Sequence, residues 1–117
     1  MRTFLLPLVA FSLLLACGGG DSNSPSASIS LYKYAGSVQC TGGGMSLSEM
    51  ERQLTDAGIQ VLSSACGFDG NVYAAVCGGA DGRIGIFEVP EAQAQAASTV
   101  GFAPLSNLPA ATKATCQ

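Results

Sequence analysis

Residues 46–59, which read SLSEMERQLTDAGI, carry the clearest fold signal in this chain of 117 residues. Ser46, followed three residues later by Glu49, forms the pattern of a capping box, in which each side chain binds the other residue's backbone amide. Apolar residues then recur every three to four positions and share one helical face. They are Leu47, Met50, Leu54 and Ala57. Because Gly58 and Ile59 match a left-handed helix stop, the segment predicts an amphipathic helix.

Alternating or β-branched segments on both sides of this helix predict strands. The predicted order is strand, helix, three strands, helix and a short apolar strand. The strands span residues 29–38, 60–66, 72–77, 83–89 and 102–108, and the second helix spans residues 90–100. Asp69-Gly70 and residues 78–82 predict tight turns, and the final residues 109–116 are expected to fray.

This order of elements predicts an α+β fold. We expect a small two-layer sandwich with a mainly antiparallel sheet and two helices on one face, ferredoxin-like or a variant of it. A domain of this size has a small core, so we expect disulfides to contribute to its stability.

The N-terminal residues have the form of an export signal. Met1-Arg2-Thr3 carries one positive side chain, and the apolar run at residues 4–16 is shorter than the ~20 residues that span a membrane. Leu14-Leu15-Ala16-Cys17, followed by a polar run rich in glycine and serine, resembles the lipobox of bacterial lipoproteins. That resemblance implies cleavage before Cys17 and attachment of fatty acyl chains to Cys17.

The resemblance also implies a division of the chain. Residues 1–16 would be a lipoprotein signal peptide, residues 17–28 a lipidated flexible tether, and residues 29–117 a single globular α+β domain. Gly18 stands where an aspartate would favour retention at the inner membrane, so the resemblance implies an outer-membrane anchor facing the periplasm. The implied partner is the membrane, reached through the lipid on Cys17.

Four cysteines remain once Cys17 is assigned to lipid, and they are Cys40, Cys66, Cys77 and Cys116. An even number in a small exported domain predicts two disulfides, for which three pairings are possible. Because Cys40 and Cys66 each end a predicted strand beside the first helix, we favour Cys40–Cys66 with Cys77–Cys116. The chain has no CxxC pair and no histidine, so no metal site is predicted.

Composition argues against most catalytic and nucleic-acid functions. Without histidine the chain has no imidazole base and no Ser-His-Asp or Cys-His site. Only 11% of its residues are charged, the net charge is −3 and no basic cluster is present, so nucleic acid is not an expected partner. Glu88 is an acid late in an apolar strand, and an acid/base enzyme using Glu88 is the weakest alternative. We predict no catalytic residue and no cofactor.

Tyr32 and Tyr34 form a possible binding face. They lie two residues apart in the first predicted strand and therefore share a side of the sheet. Such a pair can present a flat amphipathic surface to a sugar or a peptide, or it can pack within the fold.

The domain as a whole resembles small disulfide-containing lipoproteins of Gram-negative bacteria, a resemblance that implies no activity. It rests on Cys40, Gly58-Ile59, Cys66-Gly67, Asp69-Gly70, Cys77-Gly78, residues 84–90 and Gly101-Phe102. The sequence favours a membrane-anchored, non-enzymatic binding or structural module of the cell envelope, with an envelope protein or a cell-wall component as ligand. The alternative is a small periplasmic inhibitor of a hydrolase that uses residues 78–83 as a plug.

Overall fold

The computed structural model describes residues 27–116, which form a five-stranded antiparallel sheet and two helices. The strands are β1 (Ser28–Tyr34), β2 (Ser63–Phe68), β3 (Arg83–Pro90), β4 (Ala103–Pro104) and β5 (Thr112–Ala114). The helices are α1 (Leu47–Asp56) and α2 (Ala94–Thr99), with 3₁₀ turns at Glu91–Gln93 and Leu105–Asn107. The predicted disulfide-stabilised α+β fold is confirmed, whereas the predicted signal peptide and Cys17 lie outside the described residues.

The sheet has the strand order β4-β1-β3-β2-β5, and every pair in it is antiparallel. The chain order β1-α1-β2-β3-α2-β4 is the ferredoxin-like order, to which β5 is added at the edge beside β2. Because β4 and β5 lie at opposite edges, the chain between them crosses the sheet.

Both helices contribute to one core on one side of the sheet. Leu31 of β1 lies opposite Phe87 of β3, so the two side chains share that face. They are 1% and 0% exposed, and they belong to one buried cluster with Met50 and Leu54 of α1 and Ala97 of α2. The predicted placement of two helices on one face is therefore confirmed.

The caps of α1 match the sequence prediction in detail. The Ser46 amide donates to Glu49 Oε2 at 2.7 Å, and the Glu49 amide donates to Ser46 Oγ at 3.2 Å. At the other end, Gly58 adopts φ 77 and the Ile59 amide donates to the Leu54 carbonyl at 3.0 Å. This bond is the long bond of a Schellman motif, so both ends of α1 are fixed by nearby residues.

Four element predictions were wrong. Of the predicted strand 102–108 only Ala103–Pro104 pair with β1, and Leu105–Asn107 form a 3₁₀ turn. Residues 72–77 form no strand, because β3 is already paired with β1 on one side and β2 on the other. The second helix begins at Ala94 rather than Pro90, because the Glu91 amide donates to the Ala27 carbonyl at 2.9 Å and prolongs the sheet. Residues 112–114, expected to fray, pair with β2 instead.

The favoured disulfide pairing was also wrong, although all four cysteines are paired. The bonds join Cys40 to Cys77 and Cys66 to Cys116. Cys66 lies opposite Ala114 in the ladder between β2 and β5, which brings Cys116 to a Cα–Cα distance of 5.2 Å. The pairing depends on β5, a strand that the sequence did not reveal.

Candidate functional site

The connection between β2 and β3 carries a strongly exposed apolar segment. We call residues 71–76, which read NVYAAV, the apolar loop. Val72 is 99% exposed, Val76 is 57% exposed and Tyr73 is 37% exposed. The apolar loop contains no charged residue. Contiguous apolar surface of this kind is typical of interaction sites.

Gln39 holds the apolar loop through both ends of its side-chain amide. Its Nε2 donates to the Ala74 carbonyl at 2.9 Å and to the Ala80 carbonyl at 3.1 Å. Its Oε1 accepts from the Val76 amide at 3.0 Å. One side chain therefore satisfies two backbone groups of the apolar loop, which forms no strand pairing of its own, and one backbone group just after it.

The Cys40–Cys77 disulfide ties the same region covalently. Its Cα atoms are 5.1 Å apart, and it joins residues separated by 37 positions in the chain. Backbone hydrogen bonds flank it, from the Gln39 amide to the Gly79 carbonyl at 2.8 Å and from the Gly78 amide to the Gln39 carbonyl at 3.0 Å. The end of the apolar loop is thus bound to the segment that follows β1.

Asp69 binds the start of the apolar loop from a buried position. Its side chain is 2% exposed. The backbone amide and the side-chain Nδ2 of Asn71 donate to it at 2.9 and 3.1 Å. The hydroxyl of Tyr34 donates at 3.0 Å, and the hydroxyl of Tyr73 donates to the same carboxylate oxygen. The two polar side chains of the apolar loop, those of Asn71 and Tyr73, are both directed at Asp69.

These hydrogen bonds determine the protonation states of the cluster. Burial disfavours the charged form of Asp69, yet the hydrogen bonds from Tyr73, Asn71 and Tyr34 outweigh it and hold the pKa of Asp69 below its usual value. Burial and the Asp69 carboxylate raise the pKa of Tyr34 to about 12. The hydrogen bond to Asp69 likewise raises the pKa of Tyr73. At neutral pH the cluster is therefore one carboxylate held by neutral donors.

The tyrosine pair of β1 lies beside this cluster. The rings of Tyr32 and Tyr34 meet edge to face, with centroids 5.5 Å apart. Tyr34 is 41% exposed, but its hydroxyl is bound to Asp69. The pair as a binding face stays a prediction, and the structure brings Tyr34 into contact with the carboxylate that orders the apolar loop.

Residues 78–83, predicted as an inhibitory plug, are engaged within the fold. The Arg83 guanidinium lies 3.2 Å from the Asp81 carboxylate and 5.4 Å from the centre of the Phe68 ring. Gly82 is buried and adopts φ 74, and a Cβ added there would lie 2.7 Å from Asp69 Oδ1. The exposed large apolar side chains of this connection belong to the apolar loop, which precedes the predicted plug.

Glu88, the acid considered for catalysis, lies between two serines on β3. Its cross-strand neighbours are Ser30 of β1 and Ser63 of β2. The Ser63 hydroxyl donates to the Glu88 carboxylate at 3.4 Å. The carboxylate of Glu49 belongs to the α1 cap, where hydrogen bonds from Ser46 lower its pKa. Catalysis by Glu88 gains no further support from this arrangement.

A cavity of about 550 Å³ lies between the start of α1 and the sheet. On the helix side it is lined by Leu47 and Met50, and on the sheet side by Phe68, Arg83 and Gly85. Polar and apolar atoms contribute to its lining in similar measure, and it lies at the same end of the sheet as the apolar loop.

The described residues also bear on metal binding and membrane spanning. Residues 27–116 hold no group of three or more histidine, cysteine or acidic side chains arranged to bind a metal ion. In the same part of the chain, no helix is long and apolar enough to cross a membrane.

The apolar loop and the N-terminal entry into the domain lie at opposite ends of the sheet. Ser28, the first residue of β1, pairs with Pro90, whereas Tyr34, the last residue of β1, contacts Asp69. The seven residues of β1 separate the two ends by about 20 Å at a rise of ~3.3 Å per residue.

Comparison with protein-family models, with curated proteins and with solved structures finds no match for this chain. The candidate site therefore stands on its geometry alone. Sequence reasoning missed Gln39 altogether and treated Asp69 as an ordinary turn residue. The available sequence signal for the apolar loop was the apolar composition of residues 72–76, but that composition predicts a strand.

Proposed function

We propose that this protein is a lipid-anchored, non-enzymatic binding module of the cell envelope. In this proposal residues 1–16 are removed, Cys17 carries the lipid, and the residues between Cys17 and the sheet connect an outer membrane to a domain in the periplasm. The predicted tether boundary at residue 28 is corrected, because Ser28 already belongs to β1. The ligand is another envelope protein or a component of the cell wall. The lipobox resemblance at Cys17 supports the anchor, and the exposed apolar loop supports the binding role.

The observation that carries the binding role is the ordered exposure of the apolar loop. A free apolar segment would gain free energy by collapsing onto the domain, since burial of apolar surface is favourable by about 25 cal/mol per Å². Here Gln39 and Asp69 hold the loop outward, with Val72 99% exposed. An arrangement that maintains exposed alkyl groups supports recognition of a partner.

The anchor is tested by replacing the sulfur that would carry the lipid. Cys17→Ser is expected to move the protein from the membrane to the soluble fraction of lysed cells, with loss of the acyl mass from its N-terminus. Ser24→Ala, a change in the same proposed tether, is the matched control and is expected to stay with the membrane. A Cys17→Ser chain that remains in the membrane fraction would contradict the anchor.

The binding role is tested with the same released chain. Purified Cys17→Ser protein is expected to bind isolated envelope material in a saturable manner, either to the protein fraction or to the cell wall. Absence of saturable retention on both materials would contradict the binding role, whatever the outcome for the anchor.

A second candidate function, inhibition of a hydrolase, is favoured by the same loop. Inhibitory loops bind tightly when they are held in the bound shape beforehand, because less entropy is lost on association. Arg83 is engaged with Asp81 and Phe68, so we now assign such a role to the apolar loop. Arg83→Ala is then expected to leave inhibition of a target hydrolase in place, and Val72→Asp is expected to abolish it.

A further inference from the structure

We infer that the apolar loop docks into an uncharged, apolar cleft of a protein partner located on the side of the domain away from the anchoring membrane. This inference names the docking surface and the chemistry of the partner, and its membrane-distal orientation rests on the proposed function. It makes the apolar loop, rather than the tyrosine pair of β1, the principal contact.

The outward surface of the apolar loop is almost entirely alkyl and backbone. Val72 and Val76 are 99% and 57% exposed, and Ala74 and Ala75 between them are also exposed. From residue 70 to residue 80 the chain contains no charged side chain. A charged groove would lose its hydration against this surface without gaining an ion pair, so the complementary cleft is uncharged.

The polar side chains of the apolar loop are partly engaged within the domain. Asn71 Nδ2 and the Tyr73 hydroxyl both donate to the buried Asp69 carboxylate. A glycan would need hydrogen-bonding groups for its hydroxyls, and the loop has only two polar side chains, each of which already has a donor bound to Asp69. Burial of Val72 and Val76 by apolar side chains of a protein is the chemistry that this surface fits.

The apolar loop is also held in place before it binds. The three hydrogen bonds of Gln39, the contacts to Asp69 and the Cys40–Cys77 disulfide fix it at both ends. A protruding segment held in this way enters a cleft with little loss of chain entropy. The same restraint keeps Val72 from folding back onto its own domain.

The position of the chain outside the described residues argues against the anchoring bilayer as the occupant. The proposed tether joins the domain at Ser28, and the apolar loop lies at the other end of β1. A flexible segment of about a dozen residues has an r.m.s. reach of about 20 Å, similar to the length of β1. The apolar loop therefore lies at the end of the domain farther from the proposed anchor, where a partner other than the anchoring bilayer would meet it.

The test is site-specific photo-crosslinking in cells that make the protein. A benzophenone amino acid placed at position 72 or 76 is expected to give one discrete protein adduct, the same from both positions. Leu62 is the matched control, because it is 48% exposed and follows α1 near Glu88, at the other end of the sheet. A benzophenone at position 62 is expected to give no such adduct.

Direct binding then completes the test. The adduct partner is purified and its affinity for the intact chain measured. Val72→Ala removes two carbon atoms of apolar surface that the complex would bury, and it is therefore expected to weaken binding about tenfold. Val72→Asp is expected to weaken it further, and Leu62→Asp is expected to leave it unchanged.

Four outcomes would overturn the inference. They are adducts to phospholipid only, adducts to cell-wall fragments only, adducts between two copies of this chain, and no loop-specific adduct at all. Crosslinking is repeated in the Cys17→Ser chain to separate the two proposals. If the anchor proposal fails, cell fractionation shows it; if the docking inference fails, the discrete protein adduct is missing.

Discussion

Helix α1 and the apolar loop are both ordered segments of this domain, but their order has different origins. The bonds that cap α1 join residues three to five positions apart, from Ser46 to Glu49 and from Leu54 to Ile59. The bonds that hold the apolar loop reach from Gln39 to Ala74 and Val76, 35 and 37 positions away. Local pattern specifies the helix, whereas the loop combines local bonds from Asn71 and Tyr73 to Asp69 with the long-range bonds of Gln39.

This difference has a functional meaning. A helix that packs its apolar face into the core is stabilised by that burial. The apolar loop leaves its alkyl groups in water, so its order must come from polar and covalent ties. Removing those hydrogen bonds or the disulfide should disorder the apolar loop while leaving α1 folded.

The largest effect is expected from removing the disulfides one at a time. One double variant carries Cys40→Ser and Cys77→Ser, and the other carries Cys66→Ser and Cys116→Ser. They open covalent loops that are closed by cysteines 37 and 50 positions apart, respectively. Loop-closure entropy predicts a loss of about 4 kcal/mol of unfolding free energy in each case, with the two differing by only ~0.3 kcal/mol. Urea unfolding under non-reducing conditions measures both.

The two disulfide variants should differ in where the chain loosens. Limited proteolysis at 71–76 is expected to accelerate when Cys40 and Cys77 are replaced, and to change little when Cys66 and Cys116 are replaced. Equal cleavage of the apolar loop in both variants would show that Cys40–Cys77 has no special role in ordering it.

The next largest effect is expected at Asp69. Asp69→Ala would leave the hydroxyls of Tyr34 and Tyr73 and the Asn71 amide without their acceptor. We expect a loss of about 3 kcal/mol, because bonds to a buried charge are worth ~1.5–3 kcal/mol each and water replaces some of them. Asp69→Asn keeps an acceptor and is expected to lose less. Equal loss in both variants would argue against the hydrogen-bonding role.

The same cluster predicts a pH dependence of stability. The lowered pKa of Asp69 contributes stability that is present above its ordinary pKa of about 3.9 and is lost as the pH falls through its folded-state value. The raised pKa of Tyr34 contributes stability that is present below about pH 10 and is lost as the pH rises toward about 12. Denaturant midpoints across the pH range measure both, and Tyr34→Phe is expected to reduce the alkaline loss.

A smaller effect is expected from the α1 cap. Ser46→Ala removes the acceptor for the Glu49 amide and is expected to cost about 1 kcal/mol. The apolar loop should be unaffected, since none of its ties involves Ser46. Faster proteolysis at 71–76 in this variant would contradict the separation between the two regions.

The same contrast explains what the sequence could predict. Both helix stops, at Gly58 and Gly101, were found because the signal is a glycine followed by an apolar residue, and each is a Schellman motif in the structure. Strands β1, β2 and β3 were found from short-range alternation. Strand β5 and the disulfide pairing were missed because they depend on which strand lies beside β2.

The candidate site was mostly beyond prediction for the same reason. Residues 72–77 have the β-branched and aromatic composition of a strand, and composition cannot show that both edges of β3 are already occupied. Nothing near Gln39 in sequence indicates that its amide binds Ala74 and Val76. Tyr34 was predicted as part of a possible binding face, and its bond to Asp69 appears only once β3 pairs with both β1 and β2 and brings their ends to one end of the sheet.

The central claim is that the apolar loop is exposed and yet held as firmly as α1. Backbone ¹⁵N relaxation of the oxidised protein measures this directly, residue by residue. We predict order parameters of about 0.8 for residues 72–76, close to those of Leu47–Asp56, since rigid backbone gives ~0.85. Values below about 0.6 across the loop, with α1 remaining rigid, would contradict the account.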